Sequence, residues 1–434
     1  MININKITKK YKKFLIAYSG GIDSTVLLYK LIEIRKKYNI KIRAIHINHQ
    51  LNKKSKKWSK HCKKICKINN IPFILKKIKI NKPNLNTESK ARKKRYKVFK
   101  KKLVKNEILL TGHNLNDQCE TFFLAIKRGS GTTGLSGIAY KKKFYKNYLL
   151  RPLLKYSRKK IETWAKKRKL KWIEDKSNYN TSYDRNFIRH KIFPKITKRW
   201  NFFLKNCFRS IKLINSENKI INKFINPIIK KNLFLDKTLN IKKIKKMDIK
   251  IIYIIIRKWI NIQGGKMPSL KFLKNILNTV IYKKKKKNPK IQLKKYEIWN
   301  YQDRLYWIKK KPKMKNYIIF WKYPFKKLKL PKNFGTLEIK NKKYTKKNFY
   351  IKKPKKSQII TIKFQTKKKI RIKNKKKKIK KIYNELKIPP WKRKTTPLLF
   401  YNKKFISAIG LFVTKKKYNK KEKNISIIWK KNIS

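Results

Sequence analysis

Residues 14–31 read FLIAYSGGIDSTVLLYKL. The segment opens with a short apolar run typical of a buried strand and closes with apolar residues at helical spacing. Between the two lie a pair of glycines, an aspartate and two serines. The whole chain of 434 residues has only 11 glycines and 18 acidic residues. Their concentration here therefore indicates a turn that needs special backbone geometry or special chemistry.

A strand, the sequence SGGIDS and a helix together predict a phosphate site. Gly20 and Gly21 permit a tight backbone and close approach of an anion. The helix N-terminus directs backbone N–H groups toward it, and the hydroxyls of Ser19 and Ser24 can donate further hydrogen bonds. A bare phosphate would repel Asp23, so we expect this carboxylate beside a Mg²⁺ ion that bridges the phosphates.

Two other interpretations of the turn were weighed. It is not a Walker A loop, because the pattern GxxxxGK[ST] is absent. It can also be an ordinary strand-to-helix turn in which Asp or Ser caps the helix. The scarcity of Gly and Asp elsewhere in the chain favours the phosphate site.

The first 110 residues alternate between strand-like and helix-like segments. We predict strands at 14–18, 41–51, 71–80 and 107–113, and helices at 23–38, 55–69 and 87–103. This order predicts an α/β fold with a doubly wound parallel sheet. Ligands of such sheets bind at the carboxyl ends of the strands, where SGGIDS, HINH and GHNLNDQ occur in this chain.

The remainder of the chain changes in character. We predict an α/β catalytic domain over 1–200, a mainly helical middle domain over 201–312, and a small β-rich α+β domain over 317–434. The middle domain should end in a hairpin that turns at the sequence NYQD, residues 300–303.

The net charge of +110 arises from 128 basic and 18 acidic residues. Lys, Ile and Asn are in excess everywhere, which indicates a compositional bias rather than a selected basic surface. RNA binding is compatible with this charge but is not established by it. The N-terminus has no apolar signal segment and no apolar run is long enough for a membrane span, so we expect a cytoplasmic protein without a membrane partner.

The four cysteines form no CxxC pair and are expected to be reduced. Cys62 and Cys66 lie at i, i+4 on one predicted helix. Two buried thiols explain them better than a metal site, which would need more ligands. Cys119 also fits a small buried hydrophobic position.

A pair of carboxylates follows the fourth predicted strand. Asp117 and Glu120 are spaced i, i+3 and share one face of a helix that begins near Asn116. Two carboxylates there can hold a cationic group and later accept its proton. A first-turn acid favoured by the helix dipole is the alternative for Asp117. His113 is expected to line the same cleft or to serve the core.

SGGIDS resembles the loop of the PP-loop ATP pyrophosphatase superfamily, whose members cleave ATP between the α and β phosphates. Amidotransferase partners, tRNA thiolases and tRNA(Ile)-lysidine synthases belong to it. Further segments resemble the last of these families, in the same order: HINHQL (46–51), TESKARKKRY (87–96), residues 111–138, RPLL (151–154), residues 172–196 and, near the end, residues 388–413. An RxGGE-like element typical of the family's last domain is replaced by IRIKNKKKKIKKIY (370–383).

The resemblance implies a reaction and its participants. The wobble cytidine of a CAU anticodon in tRNA(Ile) would be adenylated by ATP with Mg²⁺, and L-lysine would then displace AMP. The resemblance also permits a homodimer. Asp117 and Glu120 match the family's lysine-recognition positions, and Arg92 and Arg185 match its active-site arginines, with Arg95 and Arg189 as neighbours. The implied nucleotide-binding residues are Ser19, Gly20, Gly21, Ile22, Asp23, Ser24 and His113, with Asp23 beside the metal ion. We take Asp23, Asp117, Glu120, Arg92 and Arg185 as the catalytic set.

Two alternative functions remain open at this point. A PP-loop tRNA thiolase would need a persulfide or iron–sulfur set of cysteines. A tRNA-binding protein without catalytic activity would not need its acidic residues, and the presence of Asp23, Asp117 and Glu120 opposes it.

Overall fold

The computed structural model describes residues 2–50, 55–79, 87–283, 288–312, 314, 317–340, 350–366, 369–372, 375–414 and 424–431. The chain forms two compact units, Met1–Phe224 and Ile225–Ser434. Every helix among these residues is too short or too polar to span a lipid bilayer.

A six-stranded sheet organises the first unit. Its strands are β1 (Lys13–Ala17), β2 (Lys41–Asn48), β3 (Phe73–Lys77), β4 (Ile108–Leu110), β5 (Lys141–Phe144) and β6 (Asn147–Leu150). Their order is β3-β2-β1-β4-β6-β5. All neighbouring pairs are parallel except β5 and β6, which form an antiparallel edge. The predicted doubly wound α/β fold is therefore confirmed, with the β5–β6 hairpin as an unpredicted addition.

Residues 5–232 contain the helices α1 (Asn5–Lys10), α2 (Ile22–Tyr38), α3 (Ser55–Ile68), α4 (Thr87–Lys102), α5 (Leu115–Lys127), α6 (Thr132–Leu135), α7 (Arg158–Lys167), α8 (Asp184–Phe187), α9 (Phe193–Arg199) and the long α10 (Phe203–Asn232). Helices α2, α3 and α4 follow the predicted alternation of strand and helix, and the other helices up to residue 232 lie outside that prediction. A 3₁₀ turn covers Lys176–Tyr179 and a π turn covers Ile188–Ile192.

Both faces of the sheet are covered, as a parallel sheet requires. Side chains of β1 alternate between the two faces. Phe14 and Ile16 join a cluster with Leu27 of α2, whereas Leu15 joins a second cluster with Phe99 of α4. These three residues of β1 are 0% exposed. Packing on both faces of the sheet therefore holds in place the strand that leads into SGGIDS.

The second unit begins with the predicted helical region. It contains α11 (Ile249–Ile262), α12 (Leu270–Ile276) and the strands β7 (Leu239–Asn240), β8 (Lys290–Gln292), β9 (Tyr296–Tyr301) and β10 (Arg304–Lys309). The sheet order is β7-β10-β9-β8. β9 and β10 form the predicted hairpin, and the turn residues Gln302 and Asp303 have φ of 52° and 53°. Two successive positive φ angles are typical of the tight turns that hairpins favour.

The last part of the chain is rich in short strands, as predicted. The strands are β11 (Ile318–Trp321), β12 (Leu328–Lys329), β13 (Thr336–Lys340), β14 (Tyr350–Lys352), β15 (Ile360–Lys363), β16 (Lys369–Ile372), β17 (Lys375–Lys378), β18 (Leu398–Tyr401), β19 (Lys404–Ala408), β20 (Phe412–Val413) and β21 (Asn424–Lys430), with helices α13 (Ile379–Glu385) and α14 (Pro390–Arg393). The two compact units do not separate the helical region from this β-rich region, so the three-domain boundaries stay a prediction.

Candidate active site

The loop between β1 and α2 has a backbone that only glycine can adopt. Gly20 has a φ of +85°, and a Cβ atom there would lie 2.7 Å from Cδ1 of Ile173 and 2.9 Å from Sγ of Cys62. A side chain at Gly20 would therefore strain the backbone and clash with its neighbours. By contrast, a Cβ at Gly21 would meet nothing closer than 3.5 Å, which leaves this side of the loop open.

The hydroxyl groups of Ser19 and Ser24 form hydrogen bonds within the loop. Oγ of Ser19 lies 3.0 Å from Oγ of Ser24, and the N–H of Gly21 donates to Ser19 Oγ over 3.3 Å. Ser24 donates to the Gly21 carbonyl over 2.9 Å. The N–H groups of Ile22 and Asp23 belong to the first turn of α2, where no preceding carbonyl accepts them. The loop therefore directs backbone donors outward, which suits a phosphate.

Gly112 lets β4 approach the start of α2. A Cβ at this position would lie 2.9 Å from the carbonyl carbon of Asp23 and 3.0 Å from the nitrogen of Ser24. These contacts involve backbone atoms, so they cannot be relieved by a side-chain rotation. The residues after Gly112 consequently lie directly beside SGGIDS.

Both carboxylate oxygens of Asp23 accept a hydrogen bond. Asn114 Nδ2 donates to Oδ1 over 2.8 Å, and Arg158 Nη1 donates to Oδ2 over 2.8 Å. Arg158 also donates through Nε to Glu162 over 2.8 Å. Burial raises the pKa of Asp23 and the nearby Asp117 raises it further, against the lowering effect of Arg158 and Asn114.

Asn114 links this carboxylate to the next one. Its side chain accepts a hydrogen bond from the N–H of Asp117 over 3.0 Å, and Asp117 Oδ2 accepts from the N–H of Asn114 over 2.9 Å. This reciprocal pair is a capping box at the start of α5. One amide group therefore fixes Asp23 and Asp117 relative to each other.

Glu120 is 0% exposed and neutralised by arginines. Arg189 donates through Nε to Oε1 over 2.7 Å and through Nη2 to Oε2 over 3.1 Å. The same Nη2 lies 3.2 Å from Oδ1 of Asp117, so the Arg189 guanidinium lies between the two carboxylates. Arg185 Nε lies 2.9 Å from Glu120 without the alignment of a hydrogen bond, and its Nη2 donates to Thr121. Burial and Asp117 raise the pKa of Glu120.

His113 lies among charged groups of both signs. Its Nδ1 is 2.9 Å from Oγ1 of Thr111. Burial lowers the pKa of His113 to about 4, and Arg92 and Arg185 lower it against the opposing effect of Asp117. The imidazole is therefore neutral at pH 7. Arg92 itself is exposed and donates to the Tyr96 hydroxyl over 3.3 Å.

The structure gathers most of the predicted site residues at the carboxyl edge of the sheet. Asn114 joins Asp23 to Asp117, Arg189 joins Asp117 to Glu120, and Arg185 lies beside Glu120. His113 interacts electrostatically with Asp117, Arg92 and Arg185. Their catalytic and binding roles stay predictions. Sequence reasoning missed Asn114 and Arg158, and it named Arg189 only as a neighbour. The spacing of Asn114 and Asp117 is a readable capping signal, whereas nothing local indicates that Arg158 contacts a residue 135 positions away.

Metal and sulfur chemistry place different demands on the site. Within the described parts of the chain, no three His, Cys, Asp or Glu side chains gather around a point. Mg²⁺ needs only one or two carboxylates beside substrate phosphates, and the electrostatically coupled Asp23 and Asp117 fit that demand. All four cysteines are free and buried. Burial raises the pKa of Cys62 and Cys66 to about 12 each, which opposes a reactive thiolate.

A parallel sheet whose first strand runs through SGGIDS into a helix, with acidic groups at the same edge, defines a PP-loop ATP-binding domain. A family model described as a PP-loop domain matches residues 2–196. Models described as the TilS substrate binding domain and the TilS substrate C-terminal domain match residues 239–306 and 360–429.

Curated relatives match along the full chain. The tRNA(Ile)-lysidine synthase of Buchnera aphidicola subsp. Acyrthosiphon pisum (strain APS) is 48% identical over 434 residues, which cover 99% of this chain and 97% of the relative. The enzyme of Buchnera aphidicola subsp. Schizaphis graminum (strain Sg) is 50% identical, covering 98% and 96%. The enzyme of Shigella flexneri is 34% identical and covers 100% of both chains. The chain belongs to the tRNA(Ile)-lysidine synthase family.

Proposed function

We propose that the protein ligates L-lysine to the wobble cytidine of tRNA(Ile) with a CAU anticodon, consuming ATP and releasing AMP and pyrophosphate. The product, lysidine, makes this tRNA read AUA and accept isoleucine. The observation that carries the proposal is the amide of Asn114, which joins the aspartate of the phosphate loop to the acidic face of α5. This link supports the proposal, because nucleotide activation and amine delivery must occur close together.

The first step is adenylation of the base. The cytosine carbonyl oxygen attacks the α-phosphorus of ATP, and pyrophosphate leaves. Positioning and charge neutralisation supply most of the catalysis of such a transfer. Backbone N–H groups of the first turn of α2 and the hydroxyls of Ser19 and Ser24 provide both. Mg²⁺ held by Asp23 and the ATP phosphates would neutralise the charge that develops on pyrophosphate.

The second step needs a neutral amine. The ε-amine of lysine attacks C2 of the adenylated cytidine, and AMP leaves. Because the lysine pKa is about 10.4, deprotonation at pH 7 costs roughly 4–5 kcal/mol. The ammonium group takes the position that the Arg189 guanidinium holds between Asp117 and Glu120. Asp117 then accepts the proton, because its side chain is 16% exposed whereas that of Glu120 is 0% exposed.

L-lysine as the second substrate and a homodimeric state stay predictions. The experiment for the first combines the protein, ATP, a tRNA(Ile) transcript and isotopically labelled L-lysine. Label in the tRNA and lysidine at the wobble position, identified by mass spectrometry of the digested nucleosides, support the proposal. Sulfur incorporation without label would support the thiolase reading, and tight binding without any modification would support the binding protein.

Asp23→Asn tests the phosphate loop directly. We expect pyrophosphate release to fall at least about 100-fold, because the charge that orients the metal-bound phosphates is lost. Affinity for tRNA, measured by filter binding, should not change. Glu162→Gln is the matched control, since it removes the other partner of Arg158 and leaves Asp23 in place. Wild-type pyrophosphate release by Asp23→Asn would remove Asp23 from the mechanism.

A further inference from the structure

A cavity of about 380 Å³ lies within the second compact unit. It is lined by the aromatic side chains of Tyr306 and Trp307 from β10 and of Trp391 from α14. Polar side chains in its wall include Asp236 and Gln263. Pockets of this size, with aromatic walls and a few polar groups, are typical of sites for a small ligand or for one group of a larger one. The proposed reaction uses none of these five residues, so it does not account for the cavity.

The cavity lies beside the start of the short strand β7. β7 pairs with Arg304 and Leu305 of β10, whereas β10 continues to Lys309. Because the two strands are antiparallel, the residues before β7 lie beside the part of β10 that follows Leu305. Tyr306 of that part and Asp236 of the segment before β7 both line the cavity. The shortness of β7 therefore accounts for the space beside β10.

Trp391 packs against three aromatic rings of the β9–β10 hairpin. Its ring centroid lies 4.5 Å from that of Tyr306, 5.7 Å from that of Trp299 and 6.0 Å from that of Tyr301. Tyr306 is directly opposite Trp299 in the strand register, so these two side chains leave the same face of the hairpin. Trp391 and Tyr306 are nevertheless only partly buried. Aromatic rings with an accessible surface are the groups on which unpaired nucleobases stack.

Asp236 gives the cavity a hydrogen-bond acceptor. Its Oδ1 accepts hydrogen bonds from the N–H and the hydroxyl of Thr238 over 3.0 Å and 2.7 Å. Both bonds use Oδ1, and neither uses Oδ2. Burial acts to raise the pKa of Asp236, but the hydrogen bonds from Thr238 and the charge of Arg304 hold this pKa below its usual range. An ionised carboxylate accepts a hydrogen bond from an exocyclic amino group, which cytosine has and uracil lacks.

We propose that this cavity binds one unpaired nucleobase of an RNA strand, stacked on Trp391 and Tyr306 and with its exocyclic amino group bonded to Asp236. The choice of RNA rests on the proposed function, whose substrate is a tRNA. Lys392 also lines the cavity and is exposed, so it can contact the phosphate next to the bound base. Base pairing would occupy the amino group and a duplex would cover both faces of the base, so the site selects single-stranded RNA.

Packing within the second unit is the competing explanation for the aromatic rings. Trp391 joins α14 to the β9–β10 hairpin, and a packing role alone predicts that RNA binding depends neither on strandedness nor on the base. A free nucleotide would bring the same base with a single phosphate group. The excess of basic residues favours a longer strand, because each further phosphate adds to its affinity.

Short RNAs test the site without turnover. The full-length protein is titrated with labelled single-stranded oligocytidylate and with a labelled blunt RNA duplex, without ATP or lysine, and binding is measured by fluorescence anisotropy. Trp391→Leu should weaken the binding of oligocytidylate by about 10-fold, as expected for one stacked base, while affinity for the duplex stays within about twofold. Trp391→Phe keeps an aromatic face and should lose less. Tyr282→Leu is the matched control, because Tyr282 is an aromatic residue of the same unit, 40% exposed and outside the cavity, and it should bind as wild type. Equal losses for both RNAs, or no loss for the single strand, would overturn the proposal.

Asp236→Asn provides a second test if Trp391→Leu does not fold. Its side-chain oxygen can keep the bonds with Thr238, and its NH₂ group then replaces the accepting oxygen. The wild type should bind oligocytidylate about 10-fold more tightly than oligouridylate, and Asp236→Asn should lose this preference. No preference in the wild type, an unchanged preference in the variant, or binding of cytidine monophosphate as tight as that of oligocytidylate would overturn the proposal. Absence of lysidine from complete reactions would overturn only the proposed function.

Discussion

His113 shows how the surroundings of a single residue determine its chemistry. The side chain follows Gly112 at the end of β4 and keeps Nδ1 within 2.9 Å of the Thr111 hydroxyl. Burial and three arginines, Arg92, Arg151 and Arg185, lower its pKa to about 4. A neutral imidazole can therefore contact a nucleotide or a lysine side chain at pH 7 without adding charge, and it cannot act as a general acid there.

The shifted pKa of His113 predicts acid sensitivity. In the unfolded chain the imidazole titrates near pH 6.5, so between pH 6.5 and 4 the unfolded state binds a proton that the folded state does not. The free energy of unfolding should fall over this range, by at most about 3 kcal/mol for this residue. His113→Asn keeps a group that can bond Thr111 but does not titrate. Urea unfolding at pH 7 and pH 4.5 should show a smaller loss for this variant.

His49 also contributes to the fall in the free energy of unfolding at acidic pH. Burial, with help from Arg95 and His46, lowers the pKa of His49 to about 4 as well. Some acid sensitivity should therefore persist in His113→Asn. If His113→Asn loses as much free energy of unfolding between pH 7 and pH 4.5 as the wild type does, His113 has the same pKa in the folded and the unfolded chain, and the prediction is wrong.

At the scale of residues, local patterns located the site but not its ion pairs. The motif around His113 and the spacing of Asp117 and Glu120 were readable because each lies within a few positions of a strand end. The partners Arg158 and Arg151 come from distant parts of the chain, and 128 basic residues give no means of selecting them. Tertiary packing decides which of many similar cations reaches a buried carboxylate.

Helix α5 is the element that connects Asp23 of the phosphate loop with the acidic residues Asp117 and Glu120. Its N-cap, Asn114, holds Asp23 with one side-chain atom and the N–H of Asp117 with the other. The same helix carries Glu120 one turn later, on the face that meets Arg189. Helix capping and active-site alignment therefore depend on the same side chain.

Substitutions at Asn114 should separate these two roles. Asn114→Ala loses the cap and should lower the free energy of unfolding by about 1–2 kcal/mol. Asn114→Ser is the matched variant, because a serine hydroxyl caps a helix well but cannot also reach Asp23. We expect Asn114→Ser to unfold within about 0.5 kcal/mol of wild type. Both variants should lose pyrophosphate release, measured with saturating tRNA. Wild-type turnover by Asn114→Ser would show that its bond to Asp23 is dispensable.

The strands show where prediction from patterns ends. The core strands β1, β2 and β4 were found because buried apolar runs mark them clearly. The β5–β6 hairpin was missed because its strands have four residues each and β5 reads KKKF. Lysines on an edge strand discourage pairing with another chain. Such a strand carries little of the apolar pattern on which prediction depends.

The net positive charge belongs to the whole molecule, and we expect it to give affinity for nucleic acid without sequence specificity. The chain has 128 basic residues against 18 acidic ones, and lysines occur throughout both compact units. Three of the scarce acids lie at the candidate active site, namely Asp23, Asp117 and Glu120. The proposed mechanism uses acidic groups at this site, whereas the excess of lysine and arginine elsewhere favours the binding of any polyanion.

This distribution predicts that salt weakens the binding of all tRNAs alike. Counter-ion release makes log Kd rise linearly with log salt, so an interface with about six phosphate contacts should lose roughly 1,000-fold in affinity between 50 and 200 mM salt. The slopes for tRNA(Ile) and for a methionine tRNA with the same CAU anticodon should agree, because phosphate contacts do not read sequence. The ratio of their kcat/KM values for lysidine formation should persist at both salt concentrations. Filter binding and labelled-lysine assays across this range measure both quantities. A flat salt dependence, or a steep slope for one tRNA alone, would mean that specific base contacts dominate the interface despite the charge of +110.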